Sequence, residues 1–335
     1  MAWTDRDQTI HCSLNIMLRL TLLLRNSAVV FSFISTHHSH TNYKNHLCCI
    51  SSSDVKSCDE ETIILPADIA CDVRLAAEDL WDGPESLGAV LLSKDRSDEE
   101  SGSIVCHRCN QGEMPLPSTI PISRRFSYYE QQAQKGDPRA QHSVGLLLWN
   151  GFTSTTEQTQ IDSEASARWH AAAAVQGNLD AIAVFGGCLR TGKGVGKCKN
   201  IALGLRCIEY SASAGNPSGV NKKGALMEAN DDYYNAMKLY RECYEDESKR
   251  TNALLLFNLG YCLIYGDGVD QNNEEGEKLW RDAVALAPEE GSEEAAWFLH
   301  QQYVERGNVN EAEHYLDIAA SLGLEDALAV KRDSY

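Results

Sequence analysis

Asn258-Leu259-Gly260-Tyr261-Cys262-Leu263-Ile264-Tyr265-Gly266-Asp267-Gly268-Val269, continued by Asp270 to Ala287, reads as one helix, a glycine turn and a second helix. In the first half Leu255, Leu259 and Leu263 recur at helical spacing and line one face. Gly260 stands in the middle of that face, where glycine costs about 1 kcal/mol relative to alanine, so a second backbone is expected to pass close by. Gly266-Asp267-Gly268 ends the helix, because glycine reaches positive φ without a steric penalty. Asn272 and Glu275 form a capping-box pattern that starts the next helix, whose apolar side is Leu279, Trp280, Ala283, Val284 and Ala287. A single hairpin of this size cannot bury both stripes and needs neighbours of its own kind.

Those neighbours are present. The small-residue end of the second helix returns as Ala173-Ala174-Val175-Gln176-Gly177, Ser211-Ala212-Ser213-Ala214-Gly215 and Ala319-Ala320-Ser321-Leu322-Gly323. Gly136, Gly177, Gly215, Ala287 and Gly323 lie 41, 38, 72 and 36 residues apart, the third interval holding two units. That is the period of helical-hairpin arrays. Where the first unit read has Leu259-Gly260, the others have Val144-Gly145, Phe185-Gly186, Lys223-Gly224 and Leu299-His300.

Ala181-x-x-x-Phe185-Gly186-x-x-Leu189-x-x-Gly192-x-Gly194-Val195 and Ser166-x-x-Trp169-His170-x-x-Ala173-Ala174-x-x-Gly177 resemble the Sel1-like repeat, a relative of the tetratricopeptide repeat. The resemblance covers roughly Ser127 to Ala327 as five units, the first preceded by half a unit. It implies an all-α fold, a right-handed α-solenoid of about five helix-turn-helix repeats, behind a largely disordered N-terminal region. Three departures stand out. Unit one replaces the glycine turn by Thr153 to Ile161. Unit three, Gly219 to Glu247, puts Lys222 and Lys223 near the expected core face. Unit five has His300 in the glycine slot and a short Arg306-Gly307-Asn308 turn. Residues Asn258 to Trp280 and Ser292 to Leu328 are also similar to the central repeats of megalin-binding Sel1-repeat adaptors, which implies a cytosolic adaptor whose partner is a receptor cytoplasmic tail.

Three regions follow. Residues 1–53 contain no Asp or Glu from Gln8 to Ser53, so the acidity behind the chain's net charge of −18 lies almost wholly after it. Arg19 and Arg25 interrupt the apolar run Met17 to Ile34, which fits either a mitochondrial or secretory targeting segment, and with it an organelle-targeted assembly or quality-control factor built on the same repeats, or a poorly structured tail, better than a membrane span. Residues 54–125 are acidic and Ser-containing, and read as a mostly disordered linker with one short amphipathic helix over Asp72 to Leu80, its apolar set being Val73, Leu75, Ala76, Leu80 and Trp81. That helix would cap the first repeat or serve as a peptide-like motif. Pro115, Pro117 and Pro121 lead into the array at 126–330.

No reactive constellation emerges. Cys106-x-x-Cys109 is half of a zinc site that Cys58 and Cys71 would have to complete, or else a pair of free thiols. Gly192 to Cys198 falls one residue short of a phosphate loop, lacks its hydroxyl residue and follows a helix, so it reads as a turn. His142, His170 and His314 are scattered over separate units without a carboxylate at common spacing. The expectation is therefore a non-enzyme with no cofactor and no metal. Acidity argues against nucleic acid, and membrane association would come only through a partner or an N-terminal leader. What remains is a surface. The concave face of such an array binds proteins or peptides. The residues just before each turn, Trp149, Asn150, Arg190, Thr191, Ile264 and Tyr265, together with Tyr261, would either anchor a partner there or pack on their own turns.

Overall fold

The computed structural model describes residues 63–91, 104–106, 111–153, 158–287 and 290–333. All but Ile63 belong to one compact unit, Ile64–Tyr335. The candidate targeting segment and Cys58 and Cys109 lie outside the described residues. Strand β1 (Ile63–Leu65) is followed by α1 (Ala67–Leu80), the short α2 (Pro84–Gly88) and β2 (Ile104–Cys106), which pairs with β1. Then α3 (Arg125–Gln134) leads into five helical pairs. These are α4 (Pro138–Asn150) with α5 (Ser163–Val175), α6 (Leu179–Thr191) with α7 (Ile201–Ser213), and α8 (Pro217–Glu228) with α9 (Tyr233–Glu245). The last two are α10 (Ala253–Tyr265) with α11 (Asn273–Ala285) and α12 (Ser292–Glu305) with α13 (Val309–Ser321), and α14 (Glu325–Asp333) closes the end.

Local chemistry sets these boundaries. Asp137, Asn178, Asn216 and Asn252 cap the first helices of units one to four, and each accepts from backbone N–H groups within the first turn, Asn178 Oδ1 from Ala181 N at 2.8 Å. Asn272 caps α11 through Glu275 N at 3.2 Å, while its own amide donates to the Glu275 carboxylate at 3.0 Å. Orphan donors at a helix start are thereby satisfied. Leu255, Leu259 and Leu263 are buried, as are Leu279, Trp280 and Ala283. Ala287 is exposed, since α11 has already ended.

Each pair closes over a small residue. A Cβ on Gly260 would stand 2.7 Å from the Trp280 ring, and Trp280 Nε1 donates to Phe257 O at 3.1 Å. The same place is filled by His170 against Gly145, by Cys207 and the Gly204 backbone against Gly186, and by Tyr240 against Gly224. Unit five reverses the arrangement. His300 supplies the ring from the first helix, the second helix offers Ala312, and His300 Nδ1 meets Ala312 O at 2.8 Å. Unit three also packs, contrary to the doubt its lysines raise. Gly219, Val220, Asn221 and Gly224 form the buried stripe of α8, and the lysines flank it, Lys223 reaching Glu209 at 2.8 Å.

The glycine turns join one unit to the preceding one. Gly194 (φ +74°) lies on Ser163 O at the start of α5, and Gly268 (φ +71°) lies on Tyr233 O at the start of α9. A side chain fits neither place. Gly307 in the short turn of unit five has open space around it, and there the Arg306 guanidinium pairs with Glu277 of α11 instead. In unit one, strands β3 (Phe152–Thr153) and β4 (Gln158–Thr159) form a small hairpin in place of the glycine turn. First helices of neighbouring units pack on one another, α6 on α8, α8 on α10 and α10 on α12, more extensively than second helices do. The first helices therefore form the inner layer of the curve, as expected of an α-solenoid.

Much of the expected linker is built into this array. α1 lies across the second helices α5 and α7. It begins at Ala67, earlier than the periodicity predicts, and buries Ile69, Ala70, Val73 and Ala77, whereas Leu75, placed by the sequence on the apolar set, is exposed. Arg206 of α7 grips Asp68 and Asp72. Trp81 Nε1 donates to Arg168 O at 2.8 Å, and its ring meets Trp169 edge-on at 5.2 Å. The first two units thus carry an extra outer helix.

Positive-φ alanine costs on the order of 1 kcal/mol wherever it occurs, and displacement of packed backbone adds to it. Denaturant titration should therefore show a loss of about 1 kcal/mol for Gly307→Ala and about 2–4 kcal/mol for Gly194→Ala. Equal losses would mean that the turn does not bear on α5.

Candidate peptide-binding face

The inner layer already holds an extended chain. Residues 111–116, without helix or strand, run across the N-terminal ends of α4 and α6. The Gln111 side-chain amide donates to Gly177 O at 2.8 Å and accepts from Leu179 N at 2.7 Å. Gly112 N donates to Asp180 Oδ2 at 3.0 Å, and Asn178 Nδ2 donates to Gly112 O at 3.2 Å. The Arg139 guanidinium forks onto Glu113 O at 2.6 and 3.1 Å, and Met114 N donates to Ser143 Oγ at 3.0 Å. Met114 and Leu116 rest on the cluster of Tyr129, Ala133, Ala140, Val144 and Leu147. Five of these seven bonds address main-chain atoms of the segment, and the two at Gln111 address its side chain. We refer to 111–116 as the strap.

Beside the strap an open cavity of about 660 Å³ continues along the inner layer. Its far wall comes from α6, α8 and the start of α10, with Val184, Asn221, Lys222 and Leu254 facing it. The polar groups are ordered among themselves. Asp180 accepts from Asn216 at 3.1 Å and from Ser218 at 2.6 Å, and Asn221 links Asn252 and Asn258, each at 3.1 Å. A cleft of this volume with a few fixed polar groups is of the size that binds ligands.

Under the strap lies a pair the sequence does not announce. His142 Nδ1 and His170 Nδ1 are 3.2 Å apart, on facing helices and buried, so the reading of these histidines as scattered is corrected. The antiparallel crossing of α4 and α5 brings together residues 28 apart. Burial holds both imidazoles below their ordinary pKa, helped for His170 by its neighbour His142; Asp180 pulls His142 the other way and Lys222 opposes a proton on either. A neutral pair shares one proton between the two Nδ1 atoms. Only when both rings are protonated do both Nδ1 atoms carry hydrogens, and that bond is then lost. His170 Nε2 has no partner, facing Gly145 across a gap too small for a methyl group. The pair has no nucleophile between its rings and its bond is internal, so it serves the packing of unit one.

The seven residues expected to anchor a partner lie elsewhere than the cavity wall. Lys193 stands over the Trp149 ring at 3.7 Å, and Asn150 is exposed at the end of α4. Arg190 is half-buried against Gly204 of α7, and Thr191 Oγ1 accepts from Lys193 N at 3.3 Å. Ile264 is buried against Gly276, while Tyr261 and Tyr265 lie ring to ring at 4.5 Å on α10. These side chains mostly engage their own turns. The residues that do line the strap and cavity, Arg139, Ser143, Asn178, Asp180, Asn221 and Lys222, sit at the opposite ends of the first helices. Their signal in the sequence is the recurring Gly-Asp or Gly-Asn at 136–137, 177–178 and 215–216, each followed two places on by a polar or charged residue, Arg139, Asp180 and Ser218.

Among the described residues no group of three His, Cys, Asp or Glu side chains is placed to hold a metal, and no helix is long and apolar enough to cross a membrane. Among the described residues no two cysteines are joined by a disulfide. Burial pushes the Cys106 thiol, beside Tyr210, up to about 12, and the Cys188 thiol up to about 11. Neither is a thiolate at neutral pH.

Comparison with protein families agrees with the repeat boundaries. The Sel1 repeat pattern matches residues 138–178, 185–216, 253–287 and 295–324, which are units one, two, four and five. Sel1 repeat proteins generally mediate protein–protein interactions. A crystal structure of a Sel1 repeat protein from Oxalobacter formigenes is similar over 60% of this chain and 79% of that one, at 17% identity and a TM-score of 0.41. A protective antigen of uropathogenic Escherichia coli displaying an SLR fold is similar over 61% of this chain and 42% of its own, at 19% identity and a TM-score of 0.35. No curated protein matches the chain in sequence.

Because both histidine pKa values are depressed in the fold, the unfolded chain takes up protons first as pH falls below the ordinary value of 6.5. Their stabilising contribution is complete above that pH and is lost as pH falls toward the folded values, at about 1.4 kcal/mol per pH unit for each ring. Thermal melts from pH 7 to 5 should show His170→Gln with a shallower loss than the parent chain. An unchanged slope would mean that the pair is charged in the fold.

Proposed function

We propose that the chain, which matches the Sel1 repeat pattern in four of its five helical pairs, is a non-enzymatic scaffold that holds an extended peptide of a partner protein along its inner face. The observation that carries this reading is the strap. An extended chain is held there by side chains of α4 and α6, and the cavity continues the same layer across α8 and α10. The recurring Asn caps supply one reason. Oδ1 is spent on the helix start, and Nδ2 is left to reach across the inner face, as in Asn178 to Gly112 O. A cytoplasmic receptor tail is a peptide of this kind. Affinity would come mainly from the main chain, with Val184 and Leu254 giving apolar contact and Lys222 favouring an acidic side chain.

A photo-crosslinking amino acid tests the reading in cells. Placed at Leu254 on the cavity wall it should yield partner adducts, whereas at the exposed Leu205 of α7, on the outer layer, it should yield none. Adducts from Leu205 with none from Leu254 would move the binding surface to the outside of the array and overturn the proposal.

A further inference from the structure

The strap has the attributes of a bound ligand. Gln111, Gly112, Met114 and Leu116 are only half-buried, and Glu113 and Pro115 are exposed, so little core depends on them. What fixes the strap is a set of directional contacts in a definite order. The first residue fills a slot for a primary amide. Gln111 satisfies the Leu179 N–H at the start of α6 and the Gly177 carbonyl together, which a carboxylate cannot do, having no hydrogen to give the carbonyl. The second sits at φ +75°, where glycine is favoured, although open space surrounds its Cα. The third contributes a carbonyl to Arg139. The fourth contributes an N–H to Ser143 and a side chain to the apolar cluster, and the sixth a second apolar side chain.

We propose that residues 111–116 are an internal copy of the partner's motif: the inner face recognises an extended strand of the pattern Gln-Gly-x-Met-x-Leu, and a partner segment with that pattern exchanges with the strap. This rests on the peptide-binding reading and names its ligand. Exchange is nearly balanced in contacts, because the incoming strand makes the bonds that the strap gives up. The strap holds the advantage of its covalent tether, which gives it a high effective concentration. The apparent affinity for a partner is the intrinsic affinity multiplied by the fraction of molecules with the strap out. Weakening the strap therefore raises affinity, while weakening the face beneath it does not.

That asymmetry is the test. The labelled peptide Gln-Gly-Glu-Met-Pro-Leu is titrated with the full chain and read by fluorescence anisotropy. Gln111→Ala, which removes two hydrogen bonds from the strap alone, should bind it on the order of tenfold more tightly than the parent. Met114→Asp should do likewise, and Ser143→Ala, which weakens strap and peptide alike, should not tighten binding. A peptide with Ala in place of Gln should lose affinity for every variant. Circular dichroism melts identify variants that fold, and if Met114→Asp unfolds, Gln111→Ala at the half-exposed start of the strap carries the comparison. Equal affinity of parent and Gln111→Ala, or no binding by a folded Gln111→Ala chain, overturns exchange. If crosslinks from Leu254 still appear, the peptide-binding reading stands without it, and if those too are lost, the reading itself fails.

Discussion

The array depends on how closely two helices can cross. In units one to four a glycine on the first helix lets a ring or a backbone of the second come within the space a methyl group would occupy. Such crossings fix the separation and rotation of the pair, because a packed interior leaves no slack to absorb a side chain. Once the pair is fixed, the turn that joins it can rest on the preceding unit, as Gly194 and Gly268 do. Unit five keeps the crossing while exchanging the roles, with His300 as the ring and Ala312 as the small residue. Its turn correspondingly needs no second glycine, and an ion pair from Arg306 to Glu277 takes over the contact with unit four. The requirement is therefore one small residue per crossing, on either helix.

The same residues that build the helices furnish the inner face. Asn178 caps α6 with its oxygen and reaches the strap with its nitrogen, and Asn216 caps α8 while donating to Asp180. Since each first helix begins at the same edge of the layer, the caps recur as a row of amides at the spacing of the repeat. Binding capacity of this kind comes with the fold. What distinguishes one array from another is which polar side chain follows each cap, here Asp180 in unit two and Ser218 in unit three, and what already lies across them.

The sequence exposes the features whose signal is local and periodic. Leu255, Leu259 and Leu263 share a face, Gly260 demands a close neighbour, and Asn272 with Glu275 starts a helix, each within a span of one or two turns. Unit three is less legible because Lys222 and Lys223 sit two places and one place before the glycine. Only the observed rotation of α8, which buries Val220, Asn221 and Gly224, puts them at the margins. The periodicity of α1 puts Val73 and Leu75 on one apolar face, and the structure keeps Val73 but turns Leu75 outward, since the partner helices α5 and α7 lie on the side of Ile69, Val73 and Ala77. The strap and the His142–His170 pair left no periodic trace. Their contacts join residues 26 to 68 and 28 positions apart, and a polar hydrogen bond between distant segments imposes no spacing on either.

The segment ahead of the repeats covers both sides of the first two units, α1 on the outer helices and the strap on the inner ones. A fragment cut at Ser127 to isolate the repeats would thus be a different reagent from the whole protein. Its outer seam between α5 and α7 would be bared, leaving Trp169 without the Trp81 ring and inviting self-association, while its inner groove would stand unobstructed. Stickiness and apparent affinity would rise together in such a fragment, and only the intact chain separates one from the other.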